Sequence, residues 1–192
     1  MSKIKEVLSA HGVIAFPTET VCGLGILFND EIAFEKLNKI KGKRENKPYT
    51  LMLSKSEDIY TYAYVNELAK KVIDKFVPGD VTLLLKAKEN LPYFVTLGSE
   101  FIGVRVSGKK MTRDIIEEAG VPLLVPSLNR SNEKPFIDIS IAKEYFKDEI
   151  DLYIDGVSDN RKPSTIIKID DKIEMIRQGD ISLEEILKAT EE

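Results

Sequence analysis

Cysteine and histidine are the scarcest resources of this chain: Cys22 and His11 stand alone among 192 residues. One thiol closes no internal disulfide, and one thiol with one imidazole cannot furnish a Cys/His zinc site. No Ser/His/Asp set is present either, so the chemistry to expect is binding and charge stabilisation. Cys22 has no His or Asn neighbour in sequence to activate it and reads as a small packing residue, while His11 reads as a residue beside a helix end. Long apolar runs are missing too. Nothing approaches the roughly 18 residues that suggest a membrane span, and residues 1–5 lack the apolar core of a signal peptide, so a cytoplasmic protein without membrane contact is expected. Positive charge is in deficit overall, with 28 Lys and Arg against 32 Asp and Glu, a net charge of -4 and a pI near 5.3. That balance argues against a protein that coats nucleic-acid backbone, although a local RNA contact stays open. Repeats, low-complexity segments and linkers are absent, which leaves residues 1–192 as a single expected domain.

What is present is a 43% hydrophobic chain with alternating helical and extended patterns. Ser2 can cap a helix that ends by Gly12, and residues 13–16 read as a short buried strand stopped by Pro17. A helix begins near Glu31, an extended run covers 49–53, and Asn66 opens a helix closed by Pro78 and Gly79. Strands are expected at 81–87, 102–106, 123–125, 152–154, 165–169 and 173–176, with helices near 112–118 and 140–146. Ser182 and Glu185 make a capping box for a last helix. The pattern describes a mixed α/β domain built on a twisted mixed sheet.

The positive charge that exists is concentrated. Lys39, Lys41, Lys43, Arg44 and Lys47 fall within nine residues, on an expected loop between a helix and a strand, where an anion such as a polyphosphate could be gripped. A solvated helix end would also collect lysines. Residues 17–25 and 126–132 each follow an apolar strand and are rich in hydroxyl, amide and glycine groups, as a ligand wall or an ordinary turn would be. Residues 103–110 spell a near P-loop, but Lys110 occupies the place of the magnesium-holding Ser or Thr, and Val104-Arg105-Val106 reads as strand. Alternation puts Arg105 on the opposite face from both valines, so it either meets solvent or holds an anion.

Taken in order, these segments resemble the YrdC-like family, which includes threonylcarbamoyl-AMP synthases. The family's Pro-Thr-Asp/Glu-Thr-Val-Tyr-Gly-Leu is matched by residues 17–24, its Lys-x-Arg before a Lys-Pro pair by 41–48, and its Pro-Gly-x-x-Thr by 78–82. Its Val-Arg-Val strand is matched by 104–106, its Ser-Ala-Asn-x-Ser-Gly loop by 127–132, its Pro-Ser-Thr by 163–165 and its Arg-x-Gly by 177–179. The resemblance implies an α/β single-domain, twisted open mixed sheet with flanking helices and a positively charged concave surface. It implies an L-threonylcarbamoyladenylate synthase, a nucleotidyltransferase that makes threonylcarbamoyl-AMP and pyrophosphate from L-threonine, bicarbonate and ATP for threonylcarbamoyladenosine in tRNA. In that picture Lys41 with Lys43 or Arg44 holds the triphosphate, and Ser127, Asn129 and Arg177 help to bind the nucleotide. Thr20, Arg105 and Ser164 serve the threonine and carbamate end, with Lys41, Lys43, Arg44 and Arg105 the expected catalytic groups. Mg2+ arrives with ATP, without protein side-chain ligands, and the product passes to tRNA threonylcarbamoyl transfer proteins. The chain departs from the pattern at Cys22, where tyrosine is usual, at Lys43, where arginine is usual, and at Pro126, Leu128 and Asn132. Two alternatives stay open: an RNA-binding module that uses the same basic concavity, and, on the strength of the Cys22 and Lys43 departures, a paralogue with a different carbamoyl-adenylating activity.

Overall fold

The protein is described by a computed structural model that covers residues 1–42, 45–159 and 162–191. Ser2 accepts a hydrogen bond from the Lys5 amide at 3.3 Å and opens α1 (Lys3–Ser9), which ends before Gly12. After a wholly buried β1 (Ile14–Phe16) comes a strand that the hydroxyl and glycine content conceals, β2 (Gly23–Leu27). Asp30 caps α2 (Glu31–Lys41) by accepting from the Ala33 amide at 3.0 Å. Lys39 and Lys41 therefore belong to the last turn of a helix, where the dipole favours cations, and not to the loop expected from sequence. Lys43 and Arg44 lie outside the described residues.

The chain continues through β3 (Leu51–Leu53), the short α3 (Ile59–Tyr62), α4 (Glu67–Phe76), β4 (Val81–Lys86), the short α5 (Tyr93–Thr96) and β5 (Phe101–Val106). Then follow α6 (Lys110–Ala119), β6 (Leu123–Leu124), α7 (Ile139–Phe146), β7 (Leu152–Tyr153), β8 (Thr165–Ile169), β9 (Ile173–Arg177) and α8 (Leu183–Glu191). The capping box closes as expected: the Ser182 amide donates to Glu185 Oε2 at 2.8 Å and the Glu185 amide to Ser182 Oγ at 3.2 Å.

Among the described residues nine strands join one twisted open mixed sheet in the order β7-β1-β2-β6-β3-β5-β4-β8-β9. Strand pairs β7 with β1, β3 with β5 and β4 with β8 are parallel, and the others antiparallel. Because side chains alternate along a strand, each face gathers its own core. One face is covered along most of its width: Phe34 and Leu37 of α2, Val72 and Ile73 of α4, Phe146 of α7 and Ile186 of α8 pack with Leu83, Leu85, Val104 and Val106. The opposite face has a smaller core in which α1 and α6 supply Leu8, Ile115 and Ile116 to Ile14, Phe16, Met52 and Leu123. Thr82 and Arg105, which β4 and β5 turn to this face, lie outside that core and border a cleft. Among the described residues no helix is long and apolar enough to cross a membrane.

Candidate functional site

Sheet register assembles the cleft floor. Met52 of β3 pairs with Arg105 of β5, Thr82 of β4 with Ile166 of β8, and Ile166 with Arg177 of β9. Residues in one row of a sheet project to one face, so these five side chains form a band across the strands. All five line a cleft of about 460 Å³. Thr18, Thr20, Cys22 and Gly23 from the β1–β2 segment, Lys41 from α2, and Ser127, Asn129 and Asn132 from the segment after β6 complete its walls, with Ser164 beside Arg177. Every described residue expected from sequence at the site, Thr20, Lys41, Arg105, Ser127, Asn129, Ser164 and Arg177, thus borders one hollow.

Two polar ends can be distinguished. At the first, Lys41 is 5% exposed, and its Nζ donates to the Ser127 carbonyl at 2.8 Å and to Asn129 Oδ1 at 2.5 Å. Asn129 Oδ1 also accepts from Ser127 Oγ at 2.7 Å, and Asn129 Nδ2 donates to the Glu133 carbonyl at 2.6 Å. Backbone bonds hold this corner in place: Leu24 N to Pro126 O at 2.9 Å, Leu128 N to Cys22 O at 2.7 Å and Ser131 N to Lys41 O at 2.8 Å. A further hollow of about 400 Å³, lined by Glu45, Lys47, Ser131 and Asn132, continues past Lys41. Lys47 is ion-paired with Glu45. Arg130 turns away from the cleft, donating to Ile40 O at 2.5 Å and to Glu149 at 2.5 Å with its guanidinium over Phe146.

At the second end Arg105 is 7% exposed, so the solvated alternative is excluded. Its Nη2 donates to Glu19 Oε1 at 2.7 Å and to Thr20 Oγ1 at 3.1 Å. Glu19 also accepts from the Gly108 amide at 3.0 Å and from Ser107 Oγ. Burial pushes the Glu19 carboxyl upward, but the Arg105 charge and the bonds from Ser107, Arg105 and Gly108 outweigh it and hold the carboxyl below its ordinary value. Arg177 stands at this end and not with Ser127 and Asn129. Its Nε and Nη2 donate to the Ser164 carbonyl at 3.1 and 2.9 Å, and Ser164 Oγ shares a 2.8 Å hydrogen bond with Thr82 Oγ1. Burial, and behind it the charge of nearby Arg105, pulls the Arg177 pKa down. Two neighbouring guanidinium groups facing one cleft make that end complementary to an anion.

Glu19, Thr18 and Thr82 fall within segments read as a possible ligand wall or matched to a family motif, but were not singled out as site residues. The signal for Glu19 was an acid set between two threonines on a segment otherwise free of charge. Cys22 is fully buried and shares a 3.3 Å hydrogen bond with Ser158 Oγ; burial pushes its thiol above the ordinary value, the opposite of what a nucleophile needs. Residues 103–106 form part of β5, in keeping with the rejection of a P-loop there.

The Sua5/YciO/YrdC family model, which carries the description telomere recombination, matches residues 6–179. A Methanocaldococcus jannaschii protein provisionally named threonylcarbamoyl-AMP synthase is 40% identical over 187 residues, 96% of this chain and 87% of that protein. The crystal structure of Pyrococcus abyssi Sua5 complexed with L-threonine superposes with a TM-score of 0.89 at 30% identity, covering 96% of this chain and 55% of that longer one. Escherichia coli YciO superposes with a TM-score of 0.87 at 27% identity, covering 94% of this chain and 89% of its own. A match over most of the chain, in sequence and in fold alike, places it plainly: the protein belongs to the Sua5/YciO/YrdC family.

Proposed function

We propose that the chain is an L-threonylcarbamoyladenylate synthase that joins L-threonine, bicarbonate and ATP into threonylcarbamoyl-AMP and pyrophosphate. The observation that carries this reading is the two-ended cleft, with Lys41, Ser127 and Asn129 at one end and Arg105, Thr20, Ser164 and Arg177 at the other. Its volume of about 460 Å³ suits small-molecule ligands, and the adjoining hollow past Lys41 gives a triphosphate room. Arg105 and Arg177 suit the threonine carboxylate, and Lys41, with Lys43 or Arg44, suits the nucleotide phosphates. The threonine amine attacks bicarbonate and water leaves, giving a carbamate. A carbamate oxygen then attacks the α-phosphorus of ATP as the bond to the β-phosphate oxygen breaks. The protein's part is to hold two anions in line and to steady the leaving pyrophosphate. Mg2+ would enter with the nucleotide and offset phosphate charge; Glu19 is committed to Arg105 and Glu45 of the adjoining hollow is ion-paired with Lys47, and the proposal assigns the ion no side-chain ligand. Positive charge over the cleft is part of the proposal, as are a cytoplasmic location and the extent of the domain over residues 1–192. The product is a mixed anhydride that water destroys, which calls for prompt delivery to the proteins that transfer the threonylcarbamoyl group to tRNA; any direct RNA contact of this chain belongs with that delivery.

The test is pyrophosphate release from ATP, Mg2+ and bicarbonate. Release that requires threonine and disappears in Arg105→Ala supports the reading, and threonine-independent release or none sinks it. A second reading, a paralogue that carbamoylates and adenylates another amine, is favoured by one observation: Cys22 lines the cleft where tyrosine is usual. A panel of amino acids in the same assay separates the two.

A further inference from the structure

The buried acid beneath Arg105 has no part in the chemistry set out above, yet three donors converge on its carboxylate. Its two oxygens collect Arg105 Nη2, the Gly108 amide and Ser107 Oγ, all from the end of β5 and the residues after it. Glu19 itself lies on the β1–β2 segment, 86 residues away from Arg105. The consequence for Arg105 is directional. Both hydrogens of Nη2 are taken, one by Glu19 Oε1 and one by Thr20 Oγ1, while Nε is buried without a partner. Nη1 makes no hydrogen bond among the described residues, and Arg105 borders the cleft. The guanidinium is therefore gripped by one corner and offers the other. A side chain with several rotatable bonds would lose that aim without the grip, because an arginine has many rotamers to freeze.

We propose that Glu19 is a positioning residue that holds Arg105 by Nη2 so that Nη1 is presented to the carboxylate of the amino-acid substrate. The proposal rests on the threonine reading of the cleft. Thr20 shares the grip through Oγ1, which is itself fixed by a 3.1 Å contact with Thr18 Oγ1, whose hydroxyl donates to Val21 O at 2.7 Å. Glu19 thus acts through Arg105 and does not itself meet substrate.

Glu19→Gln keeps the shape of the side chain and removes the charge that orders Arg105. In calorimetric titrations the variant should bind L-threonine about tenfold more weakly than the native protein while its affinity for ATP stays within twofold. Preference for L-threonine over L-threonine methyl ester, which lacks the carboxylate charge, should narrow by a similar factor. A purely structural role would lower the melting temperature and weaken both ligands together, leaving that preference unchanged. Glu19→Asp, which restores the charge with a shorter reach, should recover part of the preference. Should Glu19→Gln fail to fold, Ser107→Ala, which removes one anchor of Glu19 and leaves Arg105 paired, should show a smaller loss of the same kind. Native protein that binds L-threonine and a folded Glu19→Gln variant with undiminished preference for it over the ester would overturn this inference alone. Native protein that binds no L-threonine would overturn it together with the functional reading.

Discussion

Replacing Arg105 by methionine should cost the fold about 3 kcal/mol at pH 7, and the cost should shrink as the pH falls. In the native protein the Glu19 side chain is 12% exposed and its partner Arg105 8%. Methionine fills much of the space of arginine but removes the opposing charge and two hydrogen bonds, one to Glu19 and one to Thr20. Breaking one side of a buried pair costs about 3–5 kcal/mol, and the surviving donors Ser107 Oγ and Gly108 N set the expectation at the lower end. The pH dependence follows from the direction of the Glu19 shift. With Arg105 present the folded pKa lies below the unfolded one, so the contribution of Glu19 is complete above about pH 4.3 and is lost as the pH falls through the folded value. Without Arg105, burial, the largest influence on Glu19, is opposed only by the Ser107 and Gly108 bonds, and the folded pKa should rise above the unfolded one. The variant then loses stability as the pH climbs from about 4.3 towards that raised value, and its gap from the native protein is wider at pH 7 than at pH 5. Urea unfolding at both pH values reads the gap as a midpoint shift at constant slope. Adding Glu19→Gln removes the stranded charge, so the double variant should regain at least about half of the loss. A cost below about 1 kcal/mol at both pH values, with a double variant no better than the single one, would refute the picture of a buried charge held by Arg105.

Lys41→Met should weaken ATP binding about 10- to 150-fold, the equivalent of the roughly 1.5–3 kcal/mol of a charge-assisted contact, and leave threonine affinity in place. Calorimetry that finds both ligands equally weakened would contradict the separation of the two ends. Phe146→Ala should cost about 3–5 kcal/mol in denaturant unfolding, because the fully buried ring meets Phe136 at 5.8 Å and Tyr145 at 4.8 Å and carries the Arg130 guanidinium at 5.0 Å; a loss under about 1.5 kcal/mol would mean that the site collapses around the cavity. Cys22 should react slowly with a disulfide reagent such as dithionitrobenzoate near neutral pH in the folded protein and rapidly in urea, since burial both shields the thiol and disfavours the thiolate. Prompt labelling of the folded protein would contradict that.

Strands with apolar alternation, such as β4, β5 and β8, were legible because their period survives whatever packs on them. β2 was not, and its glycines explain why. A Cβ on Gly23 would stand 2.7 Å from Val125 Cγ1, and one on Gly25 would stand 2.7 Å from Phe16 Cε1, so the residues that look like turn punctuation are there to let neighbouring side chains lie against the strand. The short helices at 59–62 and 93–96 carry too few turns to show a period. Arg105 was half legible. Alternation gave its face correctly but left solvent and an anion both open beyond that face, and only the tertiary structure brings Glu19 across to meet it. Arg177 was legible as a polar group at a strand edge but was grouped with Ser127 and Asn129, because sequence order carries nothing about which end of a cleft β9 reaches; its pairing with β8 puts it beside Ser164.

The same helix that completes the smaller core also sets the arginine end of the cleft. α6 packs Ile115 and Ile116 beneath β3 and β6, and its first turns fasten the two segments that meet at Glu19. Thr112 Oγ1 donates to Pro17 O at 3.0 Å, directly before Thr18, Glu19 and Thr20. Arg113 Nη1 donates to Ser107 O at 2.6 Å and to Gly108 O at 2.8 Å, fixing the residues that close on the Glu19 carboxylate. Lys109, just ahead of α6, reaches Asp159 at 2.5 Å and ties in the segment that carries Ser158, the partner of Thr18 N at 3.2 Å. Helix cover therefore stops where it does for a physical reason. Extending it over β4 and β5 would bury Thr82 and Arg105 against apolar side chains with Nη1 unsatisfied, at a cost of several kcal/mol. Ending it at α6 leaves that band open while its first turn braces the acid that aims the arginine.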